Sequence, residues 1–169
     1  MAMTIKSKIS LSEYRNLLFG LAYKKPIMKL VVFVGFAMVV WITGYYFHFL
    51  PVPRPRIYQY ITLVLIAVVQ PLTILFTIKR NYDSSNQLGE ELAVEFTQTQ
   101  IKVRGESFYM EVEWKKLFKI EEQTDWFLLY QNNLSAIIIP KRSFHGRQAE
   151  AFRNILRSIP GVPVHVKST

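Results

Sequence analysis

The chain contains no cysteine. That excludes a disulfide framework and a thiolate zinc site. It also lacks a glycine-rich phosphate loop and a G-x-S-x-G nucleophile elbow. Histidine stands only at 48, 145 and 165. None of these falls within a spaced set of carboxylates or histidines, so no metal site is expected. Ser143 and His145 are near neighbours, but adjacency is not a triad. Glu111 with Glu113, and Glu121 with Glu122, fall on predicted surface faces and read as solvated strand charges. An enzyme needs titratable groups converging in a cleft, and the sequence assembles none. The expectation is a non-enzymatic protein with no cofactor.

Net charge is missing from one half of the chain. The formal net charge is +9, yet residues 81–169 carry eleven bases and eleven acids. The whole excess lies in residues 1–80, with ten bases to the single acid Glu13. A nucleic-acid-binding domain should carry its own basic face, so no nucleic-acid partner is expected. The basic residues instead flank two long apolar runs.

Those runs organise the chain. Between Leu30 and Leu50 the polar side chains are only Thr43, Tyr45, Tyr46 and His48, and Ile57 to Ile78 holds no charge. A helix rises about 1.5 Å per residue, so each run reaches roughly 30 Å, the thickness of a hydrocarbon core. Pro51-Val-Pro-Arg-Pro-Arg56 between them forces the chain out of the helix. A linker this short leaves an antiparallel transmembrane hairpin, residues 27–78, with spans of about 27–50 and 57–78.

Lys and Arg set the orientation. Arg15, Lys24, Lys25 and Lys29 precede the hairpin and Lys79 and Arg80 follow it, against Arg54 and Arg56 in the turn. Both termini are therefore expected in the cytoplasm. Lys24, Lys25, Lys29, Lys79 and Arg80 are the candidate contacts to anionic lipid, each worth about 1 kcal/mol near the surface. Tyr45, Tyr46, Tyr58 and Tyr60 would form the outer aromatic belt, with Tyr23 and Tyr82 on the inner side. Gln70-Pro71 interrupts the second span. It predicts a kink near Ala67, with the glutamine amide bonded locally or to the other helix. Ala37 and Gly44 share one face of the first span and permit close packing, including that of a homo-oligomer.

Residues 1–26 form a basic N-terminal segment, frayed or a short strand over Met1 to Lys8. Ser10-Leu-Ser-Glu13 is a capping box. It opens an amphipathic helix from about Leu11 to Tyr23, placed in the membrane interface or against the soluble domain. Asn81 to Gly89 is polar and turn-rich, within a tether of residues 79–91. Residues 92–160 then change period. Leu92, Val94 and Phe96, then Ile101 and Val103, then Phe108, Met110, Val112 and Trp114 alternate with polar residues, as half-buried antiparallel strands do. Phe118 and Ile120 point inward in a fourth strand. Trp126 to Tyr130 and Leu134 to Ile139 make two more, and Pro140 closes the sheet. A helix from about His145 to Ser158 carries the apolar stripe Ala149, Phe152, Ile155, Leu156 and Ile159. The tail 161–169 shows no pattern. The fold class expected is α+β: an antiparallel strand meander with a C-terminal capping helix, as a pleckstrin-homology-like (PH-like) half-barrel or, alternatively, an open sheet with a helix on one face.

Val94-Glu-Phe-Thr97, Ile101-Lys-Val-Arg-Gly105, Val112-Glu-Trp114, Trp126-Phe-Leu-Leu-Tyr130 and Ala136-Ile-Ile-Ile-Pro-Lys-Arg142 with Phe144 resemble the YcxB-like family of bacterial membrane proteins. The resemblance implies an N-terminal segment, two membrane helices and a cytoplasmic domain, and is most specific over residues 92–156. It implies no established general activity. Trp114, Phe127, Tyr130, Pro140 and Phe144 look structural. Lys141 and Arg142 are the candidate contacts for a partner or headgroup, against a role in capping carbonyls or local pairing.

The function expected is therefore that of a multi-pass protein of the bacterial inner membrane. Its cytoplasmic domain would bind a protein partner or lipid headgroups, in a regulatory or scaffold role. The alternatives are an immunity-type protein guarding the membrane from a toxin, and an accessory subunit of a membrane complex.

Overall fold

The computed structural model of the chain describes residues 3–133 and 135–166, the side chains of 86 and 87 excepted. It divides into a helical unit, residues 10–85, and an α+β unit made of residues up to 9 and from 86 onward.

The helical unit begins at the capping box. The Ser10 hydroxyl oxygen accepts from the Glu13 N–H at 3.4 Å, and the Glu13 carboxylate accepts from the Ser10 N–H at 2.9 Å. Helix α1 (Leu11–Lys24) follows, then α2 (Pro26–Tyr46), with Pro26 in its first turn where a missing N–H costs little. α2 stops short of Leu50, the end expected from hydropathy. His48 takes a φ of 57°, and the Leu50 N–H returns to the Gly44 carbonyl at 3.3 Å. A Cβ on Gly44 would come within 2.6 Å of the Leu50 side chain, so a larger residue here would have to push that side chain aside.

The second span runs helically past Ile78 to Asp83, taking up residues that the sequence assigned to the tether. It consists of α3 (Ile57–Val64), a π-helical turn (Leu65–Val69) and α4 (Gln70–Asp83). Pro71 has no N–H, and its ring crowds the carbonyl one turn back. The chain absorbs this with the π turn around Ala67, in which the Gln70 N–H reaches the Leu65 carbonyl. The Gln70 amide donates to the Met28 sulfur on α2. Near the tip, the Tyr46 and Tyr60 hydroxyls lie 2.9 Å apart and the Trp41 indole N–H donates to the Pro53 carbonyl at 3.2 Å.

Both spans, of 21 and 27 residues, are long and apolar enough to cross a membrane. The buried residues of α2 are only Gly35 and Gly44, while Leu30, Phe33, Phe36, Leu72 and Phe76 face outward. Both helices are thus mostly exposed along their apolar length. The apolar face of α1 is taken within its own unit. It packs on α4 and α2, burying Tyr14 and Leu17, with the Tyr14 ring 5.7 Å from Tyr82.

The α+β unit starts with β1 (Met3–Ser7), so the N-terminal segment is not separate from the sheet. After the short helix α5 (Asn86–Gly89) come β2 (Leu92–Phe96), β3 (Gln100–Arg104) and β4 (Tyr109–Glu113). These four form one antiparallel sheet in the order β1-β2-β3-β4. Ile5 lies opposite Val94, Val94 opposite Val103, and Val103 opposite Met110, which makes one continuous apolar row. β5 (Lys119–Glu122), β6 (Trp126–Tyr130), β7 (Ala136–Pro140) and β8 (Val164–His165) form a second sheet in the order β7-β6-β5-β8. β8 pairs parallel to β5. Helix α6 (Gln148–Arg157) places Phe152 and Leu156 in the core with no exposed surface. Phe152 sits 4.5 Å from Phe96, 5.0 Å from Phe127 and 5.1 Å from Phe144, measured between ring centroids.

The fold is α+β, but it has two sheets where one meander was expected. Trp114 lies in a 3₁₀ turn (Trp114–Lys116) and not in a strand. Phe118 points outward, because that turn puts Leu117 inward and shifts the alternation before β5 begins. α6 starts at Gln148, after His145. Leu134, expected to open the sixth strand, and the tail from residue 167 lie outside the described residues.

One carboxylate fastens the β3–β4 turn. Glu90 accepts from the N–H groups of Glu106 and Ser107 at 2.8 and 3.0 Å and from the Ser107 hydroxyl at 2.5 Å. The Ser107 hydrogen bonds hold its carboxyl below the usual carboxylate range. A carboxyl lowered on folding adds stability above its unfolded pKa and loses it as pH falls through the folded value. Urea titrations from neutral pH down to about pH 3, across the ordinary carboxylate range, should therefore show a smaller acid loss of stability for Glu90→Gln than for the natural chain. Identical pH slopes would show that this contact is not linked to folding.

Candidate functional site

Two features of the α+β unit carry side-chain chemistry: an open groove beside α6 and a buried charge cluster below it. The groove has a volume of about 900 Å³, within the range of ligand sites. One wall is α6 and the residues after it, with Ala151, Asn154, Ile155, Ser158, Ile159 and Pro160. The other is the β2–β3 turn, Thr97 to Gln100, with Glu113, Trp114 and Lys115.

That second wall is stiff for local reasons. Thr97 and Gln100 close the turn through their backbones at 2.9 Å, and the Thr97 hydroxyl donates to the Gln100 carbonyl at 2.8 Å. Trp114 is buried beneath, with its indole N–H on the Thr97 carbonyl at 2.9 Å and its backbone N–H on the Thr99 carbonyl at 3.1 Å. The indole is a floor support and leaves its ring faces in the core. The groove therefore offers amides, hydroxyls and small apolar patches. Its two charges are opposite in sign, and Glu113 is engaged by Lys116 at 2.9 Å.

The charge cluster corrects the sequence reading of Glu122. Its carboxylate has no exposed surface and accepts from Lys141 Nζ at 2.5 Å and Arg153 Nη2 at 2.9 Å. The hydrogen bond to Glu122 raises Arg153 above the ordinary guanidinium range. Both cations also lie over the Phe127 ring, at 5.3 and 6.0 Å from its centroid. The cluster ties β5, the 3₁₀ turn Lys141–Ser143 and α6 together. Ile120 faces the core, so Glu122, two residues on, shares that face. The alternation that assigned Ile120 inward was the signal for a buried Glu122.

Lys141 and Arg142 thus take local partners. Lys141 holds Glu122, and Arg142 Nη2 donates to the Lys8 carbonyl at 2.7 Å. Lys24, Lys25, Lys29, Lys79 and Arg80 are all exposed on the helical unit. Ser143 is buried in its 3₁₀ turn while His145 is exposed, and the His145 backbone N–H is taken by the Gln148 side chain. Among the described residues no three His, Asp or Glu side chains group to hold a metal.

Removing one member of a buried ion cluster leaves the others uncompensated, at a cost of about 3–5 kcal/mol. Glu122→Ala should lower unfolding stability by that amount in denaturant titration. Replacing Glu122, Lys141 and Arg153 together by Met should recover most of it. A single-site loss under about 1 kcal/mol would contradict the buried cluster.

No curated protein and no solved structure matches the chain. The strands from the end of β2 through β7, the 3₁₀ turns and nearly all of α6 fall in a stretch that matches a family model. Residues 96–156, with the stiff wall of the groove, the buried charge cluster and most of the aromatic core, match the family model of the YcxB-like proteins.

Proposed function

We propose that this chain is a non-enzymatic, multi-pass protein of the bacterial inner membrane whose α+β unit is a PH-like half-barrel that binds a protein partner in the cytoplasm. The observation that carries the reading is the groove beside α6. Its lining is mostly uncharged and its two charges oppose each other, which suits a polypeptide better than a phosphate headgroup. The engagement of Lys141 and Arg142 by Glu122 and Lys8 supports the same choice. Two four-stranded sheets sharing a core with one C-terminal helix support the half-barrel.

Strand pairing supports the topology proposed. β1 is hydrogen-bonded to β2, which supports placing the chain before the first span and the chain after the second on one side of the bilayer. Two crossings satisfy this, and the excess of Lys and Arg on these flanks supports the cytoplasm as that side. Lys24, Lys25, Lys29, Lys79 and Arg80 then meet anionic headgroups of the inner leaflet, and the role is regulatory or scaffolding.

Affinity purification from native membranes tests the reading. Residues 81–169 alone would lack β1, so the second bait should be the full chain with residues 26–83 replaced by an unrelated two-helix hairpin. One partner should co-purify with both baits. Asn154→Arg, which puts a long charged side chain into the groove, should weaken capture at least tenfold, about 1.4 kcal/mol. Capture that needs the native hairpin and ignores Asn154→Arg would instead make the spans the recognition surface, as an immunity-type protein or an accessory subunit requires.

A further inference from the structure

The outer edge of β5 is occupied by the chain itself. After α6 the chain passes Ile159 and Pro160 in the groove wall, turns at Gly161 with a φ of 80°, and returns alongside β5. Val162 is buried and Val164 and Val166 pack partly into the core, while Pro163 and His165 are exposed. This is the alternation of a strand lying over an apolar row. The segment therefore displays what this edge accepts: an extended backbone with β-branched apolar residues at every second position.

It is also a poor occupant. β5 is four residues long, and the ladder to β8 spans two of them, Ile120 with Val164 and Glu121 with His165. The pairing is parallel, which is slightly weaker per residue than antiparallel. The Ile120 N–H donates to the Pro163 carbonyl at 2.9 Å. Pro163 has no N–H with which to extend the ladder further, and proline is confined to sheet edges for this reason. A segment with another residue in place of Pro163, running the full length of β5, would make more hydrogen bonds on the same edge.

We propose that Val162–Val166 is a displaceable internal ligand, and that the β5 edge beneath it takes an extended segment of a partner protein with β-branched apolar residues at alternate positions. This rests on the reading of the α+β unit as a protein-binding module. It commits to strand addition, in which backbone hydrogen bonds bind and the alternate side chains select. Because Ile159 and Pro160 belong to both the groove wall and the start of this strap, a partner held in the groove is well placed to displace it.

The test uses the full chain in lipid nanodiscs and a labelled synthetic peptide, Gly-Val-Thr-Val-Thr-Val, against the same peptide with aspartate for each valine. Val164→Asp frees the edge. The valine peptide should bind this variant at least tenfold more tightly than the natural chain, and the aspartate peptide should bind neither. Equal or absent binding of the valine peptide, with the near-ultraviolet circular dichroism of the buried tryptophans intact, would overturn the proposal. A doubled mass of the natural chain by light scattering, lost on Val164→Asp, would overturn it as well, since the edge would then serve a second copy's tail.

Should Val164→Asp lose its tertiary signal, hydrogen exchange on the natural chain decides the matter. Saturating valine peptide should slow exchange of the Ile120 amide, and an unchanged rate contradicts displacement. A failed peptide titration leaves the affinity capture and its Asn154→Arg control untouched, so the failure of this edge and the failure of the wider reading are separate results.

Discussion

Neither four-stranded sheet can bury its apolar face alone, and the packing of both against α6 is the interaction on which the rest depends. Phe152 meets Phe96 of the first sheet and Phe127 of the second, with Phe144 completing the ring contacts. Phenylalanine can do this because it brings a large apolar area and a preference for tilted and edge-on ring geometry. Everything that makes the unit usable hangs from this contact. α6 forms one wall of the groove, it carries Arg153 into the buried cluster, and the turn after it sends the chain back along β5.

Charge is handled differently in the two units. In the helical unit the basic residues stay exposed at the ends of apolar spans, where water or headgroups can solvate them. In the α+β unit most of the charge is paired. Glu122 is held by Lys141 and Arg153, and Glu90 is held by backbone N–H groups and a hydroxyl. A buried carboxylate is tolerated only when its oxygens are satisfied.

Much of this was legible because period and composition are local properties. The stripe Phe152 and Leu156 and the alternation through Val94, Phe96, Ile101 and Val103 each follow from neighbouring residues, as does the capping box at Ser10 and Glu13. What stayed hidden depends on partners far away in sequence. No local signal tells Ile5 that it will pair with Val94, or Val164 that it will pair with Ile120. The split into two sheets was hidden for the same reason. Glu122 was an exception, since its place two residues after Ile120 already put it on the core face. A groove beside the C-terminal helix was legible, but not which residues wall it, because Thr97 to Gln100 and Asn154 to Ile159 come together only after both sheets close on α6.

The account stands on a hairpin that returns the chain to the side it started from. The absence of cysteine makes this directly measurable. Phe49→Cys, at the tip of the hairpin, and Thr124→Cys, in the β5–β6 turn, would each be labelled with a membrane-impermeant maleimide in intact spheroplasts and again after permeabilisation. The account predicts that position 49 is labelled in intact spheroplasts and position 124 only after permeabilisation. Labelling of both positions in intact spheroplasts, or of position 124 alone, would contradict it.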